Sequence, residues 1–123
     1  MASLADRGIA PGVVDDQYGR LTFTGELARA IQHLLNVQAP YGTYNVSSGG
    51  DPMTWAAIAR EVFAAHGVDP GAVSSVTTAA YAEGKNLAPR PQYSVLSLDK
   101  ISATGFRSAD GRAQLREYLA ALS

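Results

Sequence analysis

Three short stretches of this chain hold side chains in patterns that can do chemistry. Asp15, Asp16 and Gln17 follow the apolar pair Val13-Val14. Two carboxylates and an amide at the end of a buried-strand candidate stand where α/β proteins place ligand groups, outside the carboxyl ends of strands. The same residues also suit a polar turn that caps a helix, and the spacing leaves both readings open. Arg90 stands between Pro89 and Pro91, ahead of Gln92, Tyr93 and Ser94. Prolines fix the backbone, so this arginine starts partly ordered. An ordered guanidinium beside hydroxyl and amide groups suits a diphosphate; a salt bridge that pins the loop is the alternative. Tyr81 and Lys85 have the spacing that places both on one helical face, where the ammonium lowers the phenol pKa for proton transfer. Gly84 lies inside that spacing, and Asn86 and Pro89 follow. These residues oppose a helix, so the pair is read as part of a surface loop with no catalytic role.

The remaining candidates carry less. Gly49-Gly50 precedes Asp51 and Pro52. A pyrophosphate site wants three spaced glycines and bare amides at a helix start, whereas an aspartate repels phosphate. This stretch is read as an ordinary loop. His33 falls inside a helix and His66 at a helix end, with no patterned partners, so no metal site is expected. The chain has no cysteine, which excludes disulfides, zinc–thiolate sites, iron–sulfur clusters and a cysteine nucleophile. Trp55 opens the best helix and is read as a core anchor, with stacking on a ligand as the second reading.

These groups need a scaffold, and 123 residues suffice for one domain with one core. Hydrophobic residues are 46% and charged residues 17%, which excludes a disordered chain. The formal net charge is −1, so no field of one sign draws in nucleic acid or an anionic membrane. No run approaches the ~20 apolar residues of a spanning helix. The start lacks the basic flank and long apolar run of a signal peptide. A cytoplasmic domain with neither a nucleic-acid nor a membrane partner is expected.

Along the chain, Met1–Arg7 reads as the last turns of a helix, and Val13-Val14 as a short strand. A helix starts at Thr24 as N-cap, with Glu26 in its first turn and Leu27, Ile31, Leu34 and Leu35 as an apolar stripe. Gly42–Ser47 reads as a strand with Tyr44 and Val46 on one face. The next helix is capped by Asp51, or by Thr54, and presents Trp55, Ile58, Ala59, Val62 and Phe63 before Gly67 stops it. Val73–Thr78 reads as a strand and residues 79–94 as loop. Lys100–Gly105 reads as a helical turn. A last helix from about Asp110 carries Leu115, Tyr118, Leu119 and Leu122. Short strands alternating with amphipathic helices give an α/β class, α+β-like in its details, over a single domain at 1–123.

The ordered landmarks resemble one family. Val13-Val14-Asp15-Asp16-Gln17-Tyr18-Gly19, then Thr22, is similar to the valine–aspartate–glutamine–x–glycine–x–x–threonine stretch of dTDP-4-dehydrorhamnose reductases. Leu21 stands where that family usually has proline. Gly42-Thr-Tyr-Asn-Val-Ser-Ser-Gly-Gly resembles its tyrosine–asparagine–valine strand, and Thr54-Trp55 its serine–tryptophan helix. Arg90-Pro91-Gln-Tyr-Ser94-Val-Leu resembles its arginine–proline–x–x–serine–x–leucine segment. The likeness runs from about residue 10 to 122.

The resemblance is to the C-terminal, substrate-binding part of a Rossmann-type extended short-chain dehydrogenase. It implies a full enzyme that uses NADPH to reduce the 4-keto group of dTDP-6-deoxy-L-lyxo-4-hexulose, giving dTDP-L-rhamnose. It implies an N-terminal nucleotide-binding half, not found in this sequence, that holds the cofactor fingerprint and the catalytic tyrosine and lysine. By position, Asp16, Gln17 and Thr22 then edge the pocket for a dTDP-sugar, and Arg90 and Ser94 face its diphosphate. No catalytic, cofactor-binding or metal-binding residue is expected in the chain itself. A stand-alone, non-catalytic sugar-nucleotide-binding or regulatory module is the alternative. If the other half normally covers Val13-Val14 and Tyr44–Val46, a free apolar surface drives homo-oligomer formation.

Overall fold

The structure is a computed structural model and describes residues 1–122. The chain forms two compact units. One comprises Met1–Gly19, Pro52–Ser94 and the chain from Arg116 onward; the other comprises Arg20–Asp51 and Val95–Leu115. The mix of short strands and helices is the expected α/β class.

In the first unit, β1 (Gly12–Val14) pairs in parallel with β4 (Ser74–Val76), Gly12 opposite Ser74 and Val14 opposite Val76. Helices α1 (Ala2–Asp6) and α3 (Trp55–Ala65) pack here, with Ala5, Val13, Ala56, Ala59, Phe63 and Val73 forming the core. Thr54, not Asp51, caps α3: its hydroxyl accepts from Ala57 N at 3.1 Å. Gly67, at φ +69, ends the helix, and Val68 N folds back to donate to Phe63 O at 3.0 Å. The core expectation fails at Trp55, which is 52% exposed. The buried face of α3 is Ala56, Ala59, Val62 and Phe63. Alanines let the helix approach the strands closely, and this phase leaves Trp55 outside.

A second, antiparallel pair joins β2 (Tyr18–Gly19) to β3 (Met53–Thr54). The expected strand at Val73–Thr78 shortens to Ser74–Val76, and the expected loop from 79 opens instead with α4 (Thr78–Ala82). The reason is local. The Thr77 hydroxyl accepts from Ala80 N at 3.1 Å, which starts a helix where the strand stops.

In the second unit, α2 (Thr24–Asn36) packs with α5 (Asp99–Ser102) around Ala30, Ile101 and Phe106. Its N-cap is Phe23 rather than Thr24. Of the expected apolar stripe only Leu34 meets the core; Leu27, Ile31 and Leu35 are 38%, 60% and 72% exposed. The buried positions of α2 are Glu26 and Ala30. Glu26 accepts from Ala109 N at 2.9 Å, from Gln114 Nε2 at 3.3 Å and from Arg29. Those donors draw the Glu26 face inward and turn the leucines outward.

Gly42–Ser47 forms no strand, because among the described residues no neighbour completes a ladder with it. Its alternation still holds: Tyr44 and Val46 share one face and pack on the Ala30–Ile101–Phe106 cluster. Gly50 has φ +82, and a Cβ there would lie 2.1 Å from Asp110 Oδ2, so this turn requires glycine. Asp110 in turn accepts from Ala113 N at 2.8 Å, at the start of α6 (Gly111–Ala120). Of the four apolar residues expected to pack from that helix, Leu115 and Leu119 are buried, while Tyr118 and Leu122 are exposed.

Candidate functional site

Parallel pairing makes the carboxyl ends of β1 and β4 point the same way. The chain leaves β1 through Asp15-Asp16-Gln17 and leaves β4 through Thr77-Thr78 into α4. The two exits meet. Both Asp16 oxygens accept from Thr78 N, at 2.9 and 3.0 Å, and Oδ1 also accepts the Thr78 hydroxyl at 2.5 Å. Gln17 Nε2 donates to Thr78 Oγ1 at 3.0 Å. The result is a directed chain from the Gln17 amide through the Thr78 hydroxyl to the Asp16 carboxylate. The only hydroxyl proton of Thr78 is thereby used, and the Gln17 amide is fixed with a carbonyl and an N–H still to offer.

Asp15 is used differently. It accepts from the Ser75 hydroxyl and from Thr54 Oγ1 at 2.5 Å, with Arg60 Nη1 at 3.7 Å. It ties β4 and the start of α3 to β1, which is the polar-turn reading of this residue. The hydroxyls of Ser75 and Thr54, then Arg60, hold its carboxyl below the ordinary 3.8. The hydroxyl and amide of Thr78 do the same for Asp16.

Depressed carboxyl pKa values give stability that is fully present above about 3.8 and lost as pH falls through the lower folded values. The thermal midpoint is therefore expected to be level down to about pH 5 and to drop in more acid solution. In Asp16→Asn the acid drop should shrink, as read by circular dichroism; an equal drop in the variant would contradict the assignment.

A third backbone segment runs beside β2. Tyr18 N donates to Gln92 O at 2.7 Å, Ser94 N to Tyr18 O at 2.9 Å, and Ser94 Oγ to the same carbonyl at 3.1 Å. Ser94 is thus a clamp on β2. Tyr18 and Tyr93 sit with ring centroids 6.5 Å apart, both exposed. Tyr18 pairs with Thr54, and the exposed Trp55 follows as the first residue of α3. Arg90 enters this segment two residues before Gln92. It is exposed, and no described residue pairs with it, so the loop-pinning alternative has no partner among them.

The first unit therefore brings Asp16, Gln17 and Ser94 together through β1, β2 and β4, with Arg90 on the adjoining segment. Thr22 belongs to the second unit, exposed in the segment before α2. Tyr81 lies in α4 and Lys85 beyond its end, with Lys85 Nζ 3.8 Å from the Tyr81 ring centroid. The pair stacks, but no helix spans both residues. Sequence reasoning missed Thr78 and Thr54 as the residues that orient the carboxylates. The signal for Thr78 was present: two threonines at a strand end ahead of Ala-Ala-Tyr-Ala.

This arrangement suits binding rather than proton transfer. Both carboxylates are committed as acceptors, while an oriented amide, an unpaired guanidinium and bare aromatic faces remain for a ligand with an anionic group and rings. Among the described residues no group of three His, Asp or Glu side chains could hold a metal, and no helix is long and apolar enough to cross a membrane.

The family model for the RmlD substrate binding domain matches residues 1–123. A Streptomyces antibioticus protein named a probable dTDP-4,6-dihydroxy-2-methyloxan-3-one 4-ketoreductase is 40% identical over 112 residues, 90% of this chain and 37% of that protein. Two solved structures share the fold over 98% of this chain and 41% of theirs. The dTDP-4-dehydrorhamnose reductase of Clostridium acetobutylicum has a TM-score of 0.84 at 30% identity. That of Bacillus anthracis, in complex with NADP, has a TM-score of 0.80 at 26% identity. The chain spans about two fifths of the length of these relatives.

Proposed function

The chain belongs to the RmlD substrate-binding domain family, and on that premise we propose that residues 1–123 act as the sugar-nucleotide-binding domain of a dTDP-4-dehydrorhamnose reductase. The observation that carries this reading is the Gln17–Thr78–Asp16 hydrogen-bond chain at the joined carboxyl ends of β1 and β4. Ligand groups collect at such ends in α/β proteins.

In this reading Arg90 takes the diphosphate of a dTDP-sugar, and Gln17 hydrogen-bonds to the ligand. Asp16 and Ser94 are positioning residues, the first for Gln17 through Thr78, the second for β2. Thr22 enters on the resemblance alone. A nucleotide-binding part supplies the NADPH hydride and the catalytic tyrosine and lysine; this chain binds and orients the keto sugar. The test is activity. The chain by itself should not oxidise NADPH with the 4-keto sugar nucleotide, and joining it to the nucleotide-binding part of the B. anthracis reductase should restore turnover. Ketone reduction by the chain by itself would overturn the reading.

The nucleotide-binding part also has an apolar face of α2 to cover. The face it covers is formed by Leu27, Ile31 and Leu35, since Val13-Val14 are buried and Tyr44 and Val46 pack on the Ala30–Ile101–Phe106 cluster. Burying one such side chain is worth about 1.5–3 kcal/mol. The isolated chain should therefore self-associate, and light scattering should give a mass above the 12.9 kDa monomer. Ile31→Lys should shift it toward monomer. A clean monomer at high concentration would contradict this.

A further inference from the structure

We infer that the second unit carries a separate anion-binding cleft, suited to the phosphate or diphosphate group of a small phosphorylated molecule. The cleft has a volume of about 460 Å³ and lies between α2 and residues 105–107, within the range of small-molecule sites. Arg29, Gln32, His33 and Asn36 line it from α2. Their spacing is i, i+3, i+4 and i+7, one continuous helical face. Arg107 lines it from the opposite wall.

Both guanidiniums are ordered before any ligand arrives. Arg29 is held by Glu26, donates from Nη2 to Arg107 O at 3.3 Å, and lies 5.2 Å from the Phe106 ring centroid. Arg107 Nη1 reaches the carbonyls of Ser102 at 3.4 Å and Phe106 at 3.3 Å. His33 is fixed as a wall, with Nε2 at 3.1 Å from Thr104 O and 3.0 Å from Thr104 Oγ1, and its ring 5.4 Å from Phe106.

Charge then selects the ligand. Glu26 is the carboxylate that pairs with Arg29, and no carboxylate among the described residues pairs with Arg107. One positive charge is left over, in a chain whose net charge is −1. Two guanidinium forks retain unused N–H groups, and the Gln32 and Asn36 amides add more. So many donors exceed the acceptors of a carboxylate and match those of a phosphate or diphosphate. None of Asp16, Gln17, Arg90 or Ser94 takes part, so this inference stands apart from the proposed substrate site.

The experiment is an NMR titration of the 123-residue chain with inorganic pyrophosphate, and separately with acetate, at constant ionic strength. Pyrophosphate is expected to give saturable shifts at the amides of residues 29–36 and 105–107. Arg107→Gln should raise Kd about tenfold, the loss of one charge-assisted hydrogen bond. Gln32→Glu, which places a carboxylate in the cleft and leaves both arginines in the sequence, should abolish binding while circular dichroism stays unchanged. No saturable shift, equal affinity in Arg107→Gln, equally tight acetate binding, or shifts confined to residues 16–18 and 90–94 would each overturn the inference.

Discussion

Glu26→Ala is expected to destabilise the fold by about 3 kcal/mol, the lower end of the range for breaking a buried ion pair. The side chain is fully buried and collects three donors: Arg29, the Ala109 amide and the Gln114 side chain. Truncation strands the Ala109 N–H and leaves Arg29 without its counter-charge. The lower end applies because the Arg29 side chain is 54% exposed, and water recovers part of its loss. Glu26→Gln keeps the shape and one acceptor, so it should cost less than alanine. Urea unfolding measures both. Since a domain of this size holds about 5–15 kcal/mol, the alanine variant should unfold at clearly lower denaturant. A loss below about 1 kcal/mol would mean that the three donors are equally well served without the carboxylate.

Arg90→Ala is expected to weaken binding of dTDP ligands by about 1.5–3 kcal/mol, roughly 10- to 150-fold in Kd. Arg90 is exposed and pairs with no described residue, so its charge is available and its removal should leave the melting curve unchanged. That separation of binding from stability is what distinguishes a ligand contact from a loop anchor. Arg90→Lys should recover only part of the loss, because an ammonium offers a point charge in place of a two-pronged fork. Unchanged affinity in the alanine variant would remove Arg90 from the site.

How far the sequence could be read depended on whether the deciding contacts are local. Helix α3 was legible along its length and at its end, because an apolar face and Gly67 are its own signals, but its start stayed divided between Asp51 and Thr54, and the Thr54 hydroxyl takes the cap. Helix α2 was legible in extent but not in orientation. Its apolar spacing names a stripe without saying which side packs, and the deciding residue, Glu26, meets donors 83 and 88 positions away. Residues 78–82 read as loop because Gly84 and Pro89 oppose a helix, although the Thr77 cap lies next to them.

The site divides in the same way. Asp16 and Gln17 could be nominated from their place after an apolar strand, and Arg90 from its flanking prolines. Thr78, which joins the first two, lies 62 and 61 positions away and becomes a partner only once β1 and β4 pair. Ser94 was expected to face a diphosphate. Its hydroxyl donates to the Tyr18 carbonyl, 76 positions away, a contact that only the parallel run of residues 92–94 beside β2 creates. Trp55 lies outside because the alanines of α3 take the core place that a large aromatic ring ordinarily holds.

The central claim is that this chain by itself holds a sugar-nucleotide half-site and no cofactor site. Calorimetric titration with dTDP, dTDP-rhamnose and NADPH tests it most directly. Saturable binding of both dTDP ligands, weakened by Arg90→Ala, is expected, with no binding of NADPH. Binding of NADPH without the dTDP ligands, or of neither class, would contradict it.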